Sequence, residues 1–242
     1  MLSESLGSAL AAVSLTKTEL ARRAGLSRTT TQAVSEDPSR TRISTLREIA
    51  LALGYDLSID LEPASDPLAA AAARQLLGDL APAPEYAEWV ERLKRYSPEG
   101  HPLAIVEEAA KVSSPQDRRG SVMLSGRNDA DRLVSAGLAS GSTWALSGGA
   151  ALEALGTDAA TETVVFWTDD VKQVAELLGA THRRVNVSSA ADVIVAPAHP
   201  SVFDGAGAVE DVVLVSPVQA IIDSYGVGGS DRLVAQRIAD GW

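Results

Sequence analysis

The chain of 242 residues contains no cysteine. That excludes a disulfide scaffold, thiolate zinc sites, iron–sulfur clusters and a cysteine nucleophile. Only three histidines occur (His101, His182 and His199), at no metal-like spacing, so no metal site and no cofactor is expected. Aromatic residues make up 4%, which leaves Ala, Leu, Val and Ile to build the cores. No run approaches the roughly 20 apolar residues of a membrane span. Met1-Leu2-Ser3-Glu4 does not read as a signal peptide. The expectation is a soluble, cytoplasmic protein with no membrane partner. The apolar content of 45% is that of a globular chain. Against domains of roughly 100–200 residues, the length allows one large domain or two small ones.

Basic charge is also scarce, and it is unevenly placed. The whole chain carries −11, which is wrong for a protein that binds nucleic acid over its whole surface. Residues 1–62 hold seven Lys/Arg and eight Asp/Glu, so the deficit lies almost entirely in the remainder. Within 17–47 the balance reverses. Lys17, Arg22, Arg23, Arg28, Arg40, Arg42 and Arg47 stand there against Glu19, Glu36 and Asp37. Any contact with a phosphate backbone is expected in that stretch, with the acidic bulk repelling DNA elsewhere.

The first 62 residues read as short helices with sharp punctuation. Leu2, Leu6, Leu10 and Val13 recur on one face of a first helix. Thr16 caps a second helix over 17–24, with Glu19 completing a capping box, and Gly25 ends it. Ser27 caps a third helix over 28–35. Ser44 caps a fourth over 45–53, stopped by Gly54. Leu57, Ile59 and Leu61 then alternate with Ser58, Asp60 and Glu62, the pattern of a half-buried strand.

Helix, tight glycine turn and short helix is the geometry of a helix-turn-helix. Leu20-Ala21, Ala24-Gly25-Leu26-Ser27, Val34, Ser44-Thr45-Leu46, Ile49-Ala50 and Leu53-Gly54 carry its spacing. In these residues 2–54 resemble the Xre/lambda-repressor family. The resemblance implies that the third helix enters the major groove with its N-terminal residues at base edges. Arg28 would then pair with guanine, Gln32 with adenine, and Thr29 with a thymine methyl or a phosphate. Ser27 and Thr30 fall in the same turn. Lys17, Arg40 and Arg42 would contact the backbone. A solvated surface charge is the competing reading of each basic residue. Thr31 departs from the family, which usually has an apolar residue there.

Residues 63–100 read as a helical connector. It comprises an alanine-rich helix over 68–80, then Ala81-Pro82-Ala83-Pro84, then a helix in which Trp89, Leu93 and Tyr96 share a face. From 101 to 242, helices and strands mix. Helices are expected over 105–112 and 128–139 (capped by Asn128), from Gly148-Gly149-Ala150 to Leu155, and from Asp169 or Asp170 to Leu178. Another starts at Ser216-Pro217, and a last one is capped by Ser230. Strands are expected at 163–167, 185–187, 193–195 and 212–215. The chain is thus α+β with two domains: an all-α head with a short trailing strand over 1–62, and a mixed α/β domain over 101–242.

Three enzymatic readings of the second domain each lack a required element. Gly148-Gly149 at a helix start resembles the opening of a nucleotidyltransferase, which needs an acid-x-acid pair some dozen residues on to hold Mg²⁺. Asp158 and Glu162 are not so paired, and Asp169-Asp170 look like helix caps. The segment from Gly226 to Gly229 has no Gly-Lys-Ser/Thr and reads as a turn between helices. Ser147 or Ser216 with His199 lacks the Gly-x-Ser-x-Gly elbow of a hydrolase. No catalytic residue is expected.

A second resemblance lies over about 120–242. Trp144-Ala145-Leu146-Ser147-Gly148-Gly149-Ala150-Ala151-Leu152, Val164 to Trp167, Asp192-Val193-Ile194-Val195 and Ser216-Pro217-Val218-Gln219-Ala220-Ile221-Ile222-Asp223 carry it. This part is similar to the C-terminal domain of type IV abortive-infection antitoxins, the AbiEi family. That resemblance implies a non-catalytic regulator that neutralises a nucleotidyltransferase toxin and represses its own operon. Many members carry a winged helix in front, so the Xre-like head is a departure. A transferase-like fold stripped of its carboxylates would fit such a binding role by analogy of fold. The expected partners are operator DNA, a second copy of the chain and a toxin of that class. The alternative is a ligand-responsive regulator that binds a small molecule or nucleotide near Ser147, Gly148 and Gly149. A nucleotidyltransferase with a DNA-binding head comes third.

Overall fold

The computed structural model describes residues 8–9, 15–127, 129–156, 163–209 and 211–241. The chain divides into two compact units, Met1–Glu62 and Pro63–Trp242. The first unit holds α1 (Lys17–Arg23), α2 (Arg28–Glu36), a 3-10 turn (Pro38–Arg40) and α3 (Ile43–Ala52). The start of α1 is fixed by the Thr16 hydroxyl, which accepts the Glu19 amide at 3.2 Å. Its end is a complete Schellman turn. The Leu26 amide donates to the Ala21 carbonyl at 2.9 Å, and Gly25 sits at φ 66°, where a side chain would be strained. Ser27 then caps α2 by accepting the Thr30 amide at 3.0 Å. These local signals fold Leu20, Ala24, Val34 and Ile49 onto one small core.

Two expectations fail in this unit. Ser44 is not the cap of α3, which starts at Ile43. The 3-10 turn begun by Pro38 delivers the chain extended at Arg42, and the Arg42 carbonyl accepts the Thr45 and Leu46 amides instead. The alternating segment 57–61 is not a strand, because no described strand of its own chain lies beside it. The first predicted helix falls outside the described residues, except for Ser8 and Ala9, which are helical.

The second unit is a mixed α/β structure around a seven-stranded sheet. Its strands are β1 (Val122–Ser125), β2 (Trp144–Gly148), β3 (Val164–Thr168), β4 (Arg183–Arg184), β5 (Val193–Pro197), β6 (Gly207–Val209) and β7 (Val212–Leu214). The order is β4-β1-β5-β3-β2-β7-β6. Pairs β3/β5 and β2/β7 are parallel, and the others are antiparallel. Strands β2 and β3 are buried along their whole length, and β5 in all but its last residue; β3 and β5 accordingly read as apolar runs, whereas β2 ends in Ser147-Gly148 and is not among the expected strands.

The helices are α4 (Pro67–Leu76), α5 (Ala87–Tyr96), α6 (Pro102–Lys111), α7 (Ala130–Ser140), α8 (Gly149–Ala154), α9 (Val171–Leu178), α10 (Pro217–Val227) and α11 (Gly229–Ala239). One core cluster joins the sheet to α7 and α9. A second joins α4, α5, α6, α10 and α11. Helix α4 belongs to that core and is no mere connector. Ala69 to Ala73 are all buried, since five methyl side chains let α4 approach α6 and α10 closely. Of the predicted face on α5, Leu93 is fully buried and Trp89 donates its indole N–H to Asp66 at 2.8 Å, whereas Tyr96 is exposed.

Several boundaries shift. Asn128 lies outside the described residues, and Asp129 caps α7 by accepting the Asp131 amide at 3.2 Å. Asp170, not Asp169, caps α9. The strand expected at 185–187 lies at Arg183–Arg184, where exposed edge residues pair with Leu124 and Ser125 of β1 and leave no apolar signature. Helix α11 starts at Gly229 after Gly228 at φ 90°, so Ser230 lies inside it.

Candidate functional site

In the first unit Arg40 ends the 3-10 turn and Arg42 precedes α3, whereas Ser27, Arg28, Thr29 and Thr30 stand at the start of α2. Arg28 and Thr29 occupy its first two positions and are exposed, while Thr31 and Val34 turn inward. Thr31 fits there despite its polarity, because its hydroxyl donates to the Ser27 carbonyl at 3.1 Å. The hydroxyls of Ser27 and Thr30 lie 2.8 Å apart and are engaged in the cap. Lys17 reaches from the start of α1 to α2, donating from Nζ to Gln32 Oε1 at 2.5 Å. Gln32 also donates to Glu36, so it must exchange these contacts to meet a base.

The basic residues differ in how much charge they leave free. Arg22 and Arg23 share Glu19, at 2.7 and 3.0 Å, and their guanidiniums hold the Glu19 carboxyl down to about 2. Arg40 lies 3.4 Å from Asp37, and Arg47 lies 3.5 Å from Asp56. The side chains of Arg28 and Arg42 have no ion-pair partner among the described residues. Helix α2 also lacks an acidic residue in its first turn. Free positive charge and unopposed helix-end N–H groups therefore coincide at Arg28.

The second unit places Ser147, Gly148 and Gly149 in its interior. Ser147 is fully buried, and its hydroxyl donates to Asp223 Oδ2 at 2.6 Å. The same oxygen accepts the Trp167 indole N–H at 2.7 Å, and Oδ1 accepts the Gln219 amide at 2.8 Å. Arg118 stacks 4.8 Å over the Trp167 ring. Burial pushes the Asp223 carboxyl up, while the three donors and the Arg118 charge pull it down; burial prevails. Gly148 sits at φ 66° with the Thr163 carbonyl 2.7 Å from where a Cβ would stand, and the Gly149 amide donates to that carbonyl. The Ser-Pro-x-Gln-x-x-x-Asp run is thus a structural lock. Ser216 caps α10, Pro217 opens it, and Gln219 and Asp223 face the sheet network.

A companion node involves Arg74, which no spacing pattern marked as functional. It is fully buried, donates to Asp79 at 2.5 Å, and donates to the carbonyls of Ser201 and Asp204 at 2.5 and 2.6 Å. Ser216 also donates to Asp79, at 2.8 Å. The one available signal was a single arginine closing a run of five alanines. Neither Ser147 nor Ser216 bonds to His199, whose Nδ1 lies 2.9 Å from Ser201 Oγ. Asp158 and Glu162, which the sequence does not pair for a metal, lie outside the described residues. Among the described residues no cluster of His, Asp or Glu is arranged to hold a metal ion.

An open cleft of about 710 Å³ is lined by Gly126, Thr163, Ser188, Asp192, Gly228 and Asp231, among others. Its carboxylates serve the fold, Asp192 accepting the Gly126 amide at 2.7 Å and Asp231 the Thr163 amide at 3.2 Å. Among the described residues no helix is long and apolar enough to cross a membrane. Comparison with family models, curated proteins and solved structures finds no match for this chain.

Proposed function

We propose that the protein is a sequence-specific DNA-binding transcriptional repressor, with its first unit acting as an Xre-type helix-turn-helix. The observation that carries this reading is the start of α2. There Arg28, with no ion-pair partner among the described residues, and an exposed Thr29 stand beside free helix N–H groups, in the one basic stretch of an acidic chain. Lys17 and Arg42 would hold phosphates on either side of that helix. The second unit would serve regulation, as a partner-binding domain of the abortive-infection antitoxin kind that opposes a nucleotidyltransferase toxin. A degenerate transferase-like fold suits that role, because Ser147 and the two glycines are committed to packing. A ligand at Ser147, the alternative, would have to displace the Ser147–Asp223 bond.

The test is fluorescence anisotropy with the duplex upstream of the protein's own gene, against a random duplex of equal length. Preference for the upstream duplex supports the reading. Equal affinity for both overturns it.

A further inference from the structure

The segment that reads as a strand but has no neighbour is chemically unfinished. In 57–61, Ile59 is 58% and Leu61 96% exposed, and Leu57 is half-buried. The amides of 58–62 and the carbonyls of 57–62 have no hydrogen-bond partner among the described residues. Of eleven large apolar side chains exposed among the described residues, five lie between 43 and 61: Ile43, Leu51, Tyr55, Ile59 and Leu61. An extended, unpaired, apolar edge of this kind is a template for another strand.

We infer that this segment pairs antiparallel with the same segment of a second copy of the chain, centred on Ile59. The sequence is self-complementary in that register. Ile59 meets Ile59 and Leu57 meets Leu61, so six apolar side chains gather on one face. On the other face Ser58 meets Asp60, placing a hydroxyl donor opposite a carboxylate. Only the end pair, Asp56 with Glu62, brings like charges together, and Asp56 already faces Arg47 at 3.5 Å. A one-residue slip would set Ile59 against Ser58 or Asp60 and mix apolar with polar side chains on both faces. The two-fold axis through Ile59 relates two first units, as binding to two half-sites requires. The pairing itself does not depend on DNA and is tested without it.

The absence of cysteine makes the test clean. Ile59→Cys places two thiols across the axis at about 4.5–5.5 Å between Cβ atoms, whereas Glu62→Cys separates them by roughly 20 Å. Under mild oxidation of the full chain, Ile59→Cys is expected to form a disulfide-linked dimer roughly tenfold faster or more. Sedimentation velocity of the wild type without DNA should show a dimer. Ile59→Pro, at an exposed position whose amide has no hydrogen-bond partner among the described residues, should weaken the dimer at least tenfold while leaving the melting curve of the second unit unchanged. A monomeric wild type overturns the inference. So does a dimer indifferent to Ile59→Pro, which would mean that another surface holds it, or equal cross-linking of the two cysteine variants. A dimer that pairs as described but ignores operator DNA leaves this inference standing and removes the DNA reading. A monomer that binds operator does the reverse.

Discussion

Asp223 is where the second unit concentrates its buried polar interactions, and removing it gives the sharpest stability prediction. The carboxylate is 1% exposed and accepts from Ser147, Trp167 and Gln219 at 2.6, 2.7 and 2.8 Å. Hydrogen bonds to a charged acceptor contribute about 1.5–3 kcal/mol each, and they do not add fully. Asp223→Ala strands three buried donors and deprives the buried Arg118 of its nearby countercharge, so a loss of about 4–6 kcal/mol is expected. Set against a typical domain stability of about 5–15 kcal/mol, that is a large share of what keeps the unit folded. Asp223→Asn keeps the shape and one carbonyl acceptor and should cost about 1–3 kcal/mol. Ser147→Ala removes one donor from an acceptor that retains two others and should cost about 1–2 kcal/mol.

The same residue sets a pH signature. The folded carboxyl is raised above its ordinary value of 3.8 by burial, so the folded state binds the proton more tightly than the unfolded state. Its contribution to stability is therefore greatest below 3.8 and declines as pH rises through the folded value. Asp223→Asn should flatten that decline. Urea unfolding followed by tryptophan fluorescence, repeated across pH, measures both effects. A cost for Asp223→Ala below about 1 kcal/mol would refute the claim that these bonds hold α10 to the sheet.

Three further outcomes are expected. Arg74→Ala should destabilise the second unit by about 3–5 kcal/mol in the same assay, since it leaves Asp79 without its cation and two carbonyls without donors. Gly148→Ala combines a positive φ with a Cβ 2.7 Å from the Thr163 carbonyl. It should cost about 2 kcal/mol or more, against about 1 kcal/mol for Gly54→Ala, where nothing lies within 4 Å. Thr31→Val removes a single hydrogen bond to the Ser27 carbonyl while restoring an apolar side chain, so thermal melting of the first unit should shift by the equivalent of about 1 kcal/mol or less.

The legibility of this chain followed the range of its interactions. Thr16, Gly25, Ser27 and Pro217 mark helix ends through bonds made within a few residues, so the sequence identified them directly. Strands β3 and β5 were visible because burial on both faces leaves uninterrupted apolar runs. Strand β4 is misplaced by the sequence and β1, β2 and β6 are not identified; β4 and β6 lie at sheet edges with exposed side chains, and the interior β2 ends in Ser147 and Gly148. Ser147, Gly148 and Gly149 were recognised as unusual, but their use depends on Asp223 and Thr163, contacts made only by the fold. Arg74 was missed for the same reason: its acceptors on Ser201 and Asp204 lie more than a hundred residues away. The segment 57–61 reads as a strand because its apolar and polar residues alternate, but alternation alone supplies no neighbouring strand.

The most direct test of the central claim is the effect of Arg28→Ala on operator and random duplex, measured by anisotropy at two salt concentrations beside Lys17→Ala. The account predicts that Arg28→Ala weakens operator binding by about 1–3 kcal/mol and leaves random duplex nearly unchanged. Lys17→Ala should weaken both alike and reduce the salt dependence by about one unit of slope. Equal losses on both duplexes for Arg28→Ala would contradict the assignment of α2 as a helix that reads bases.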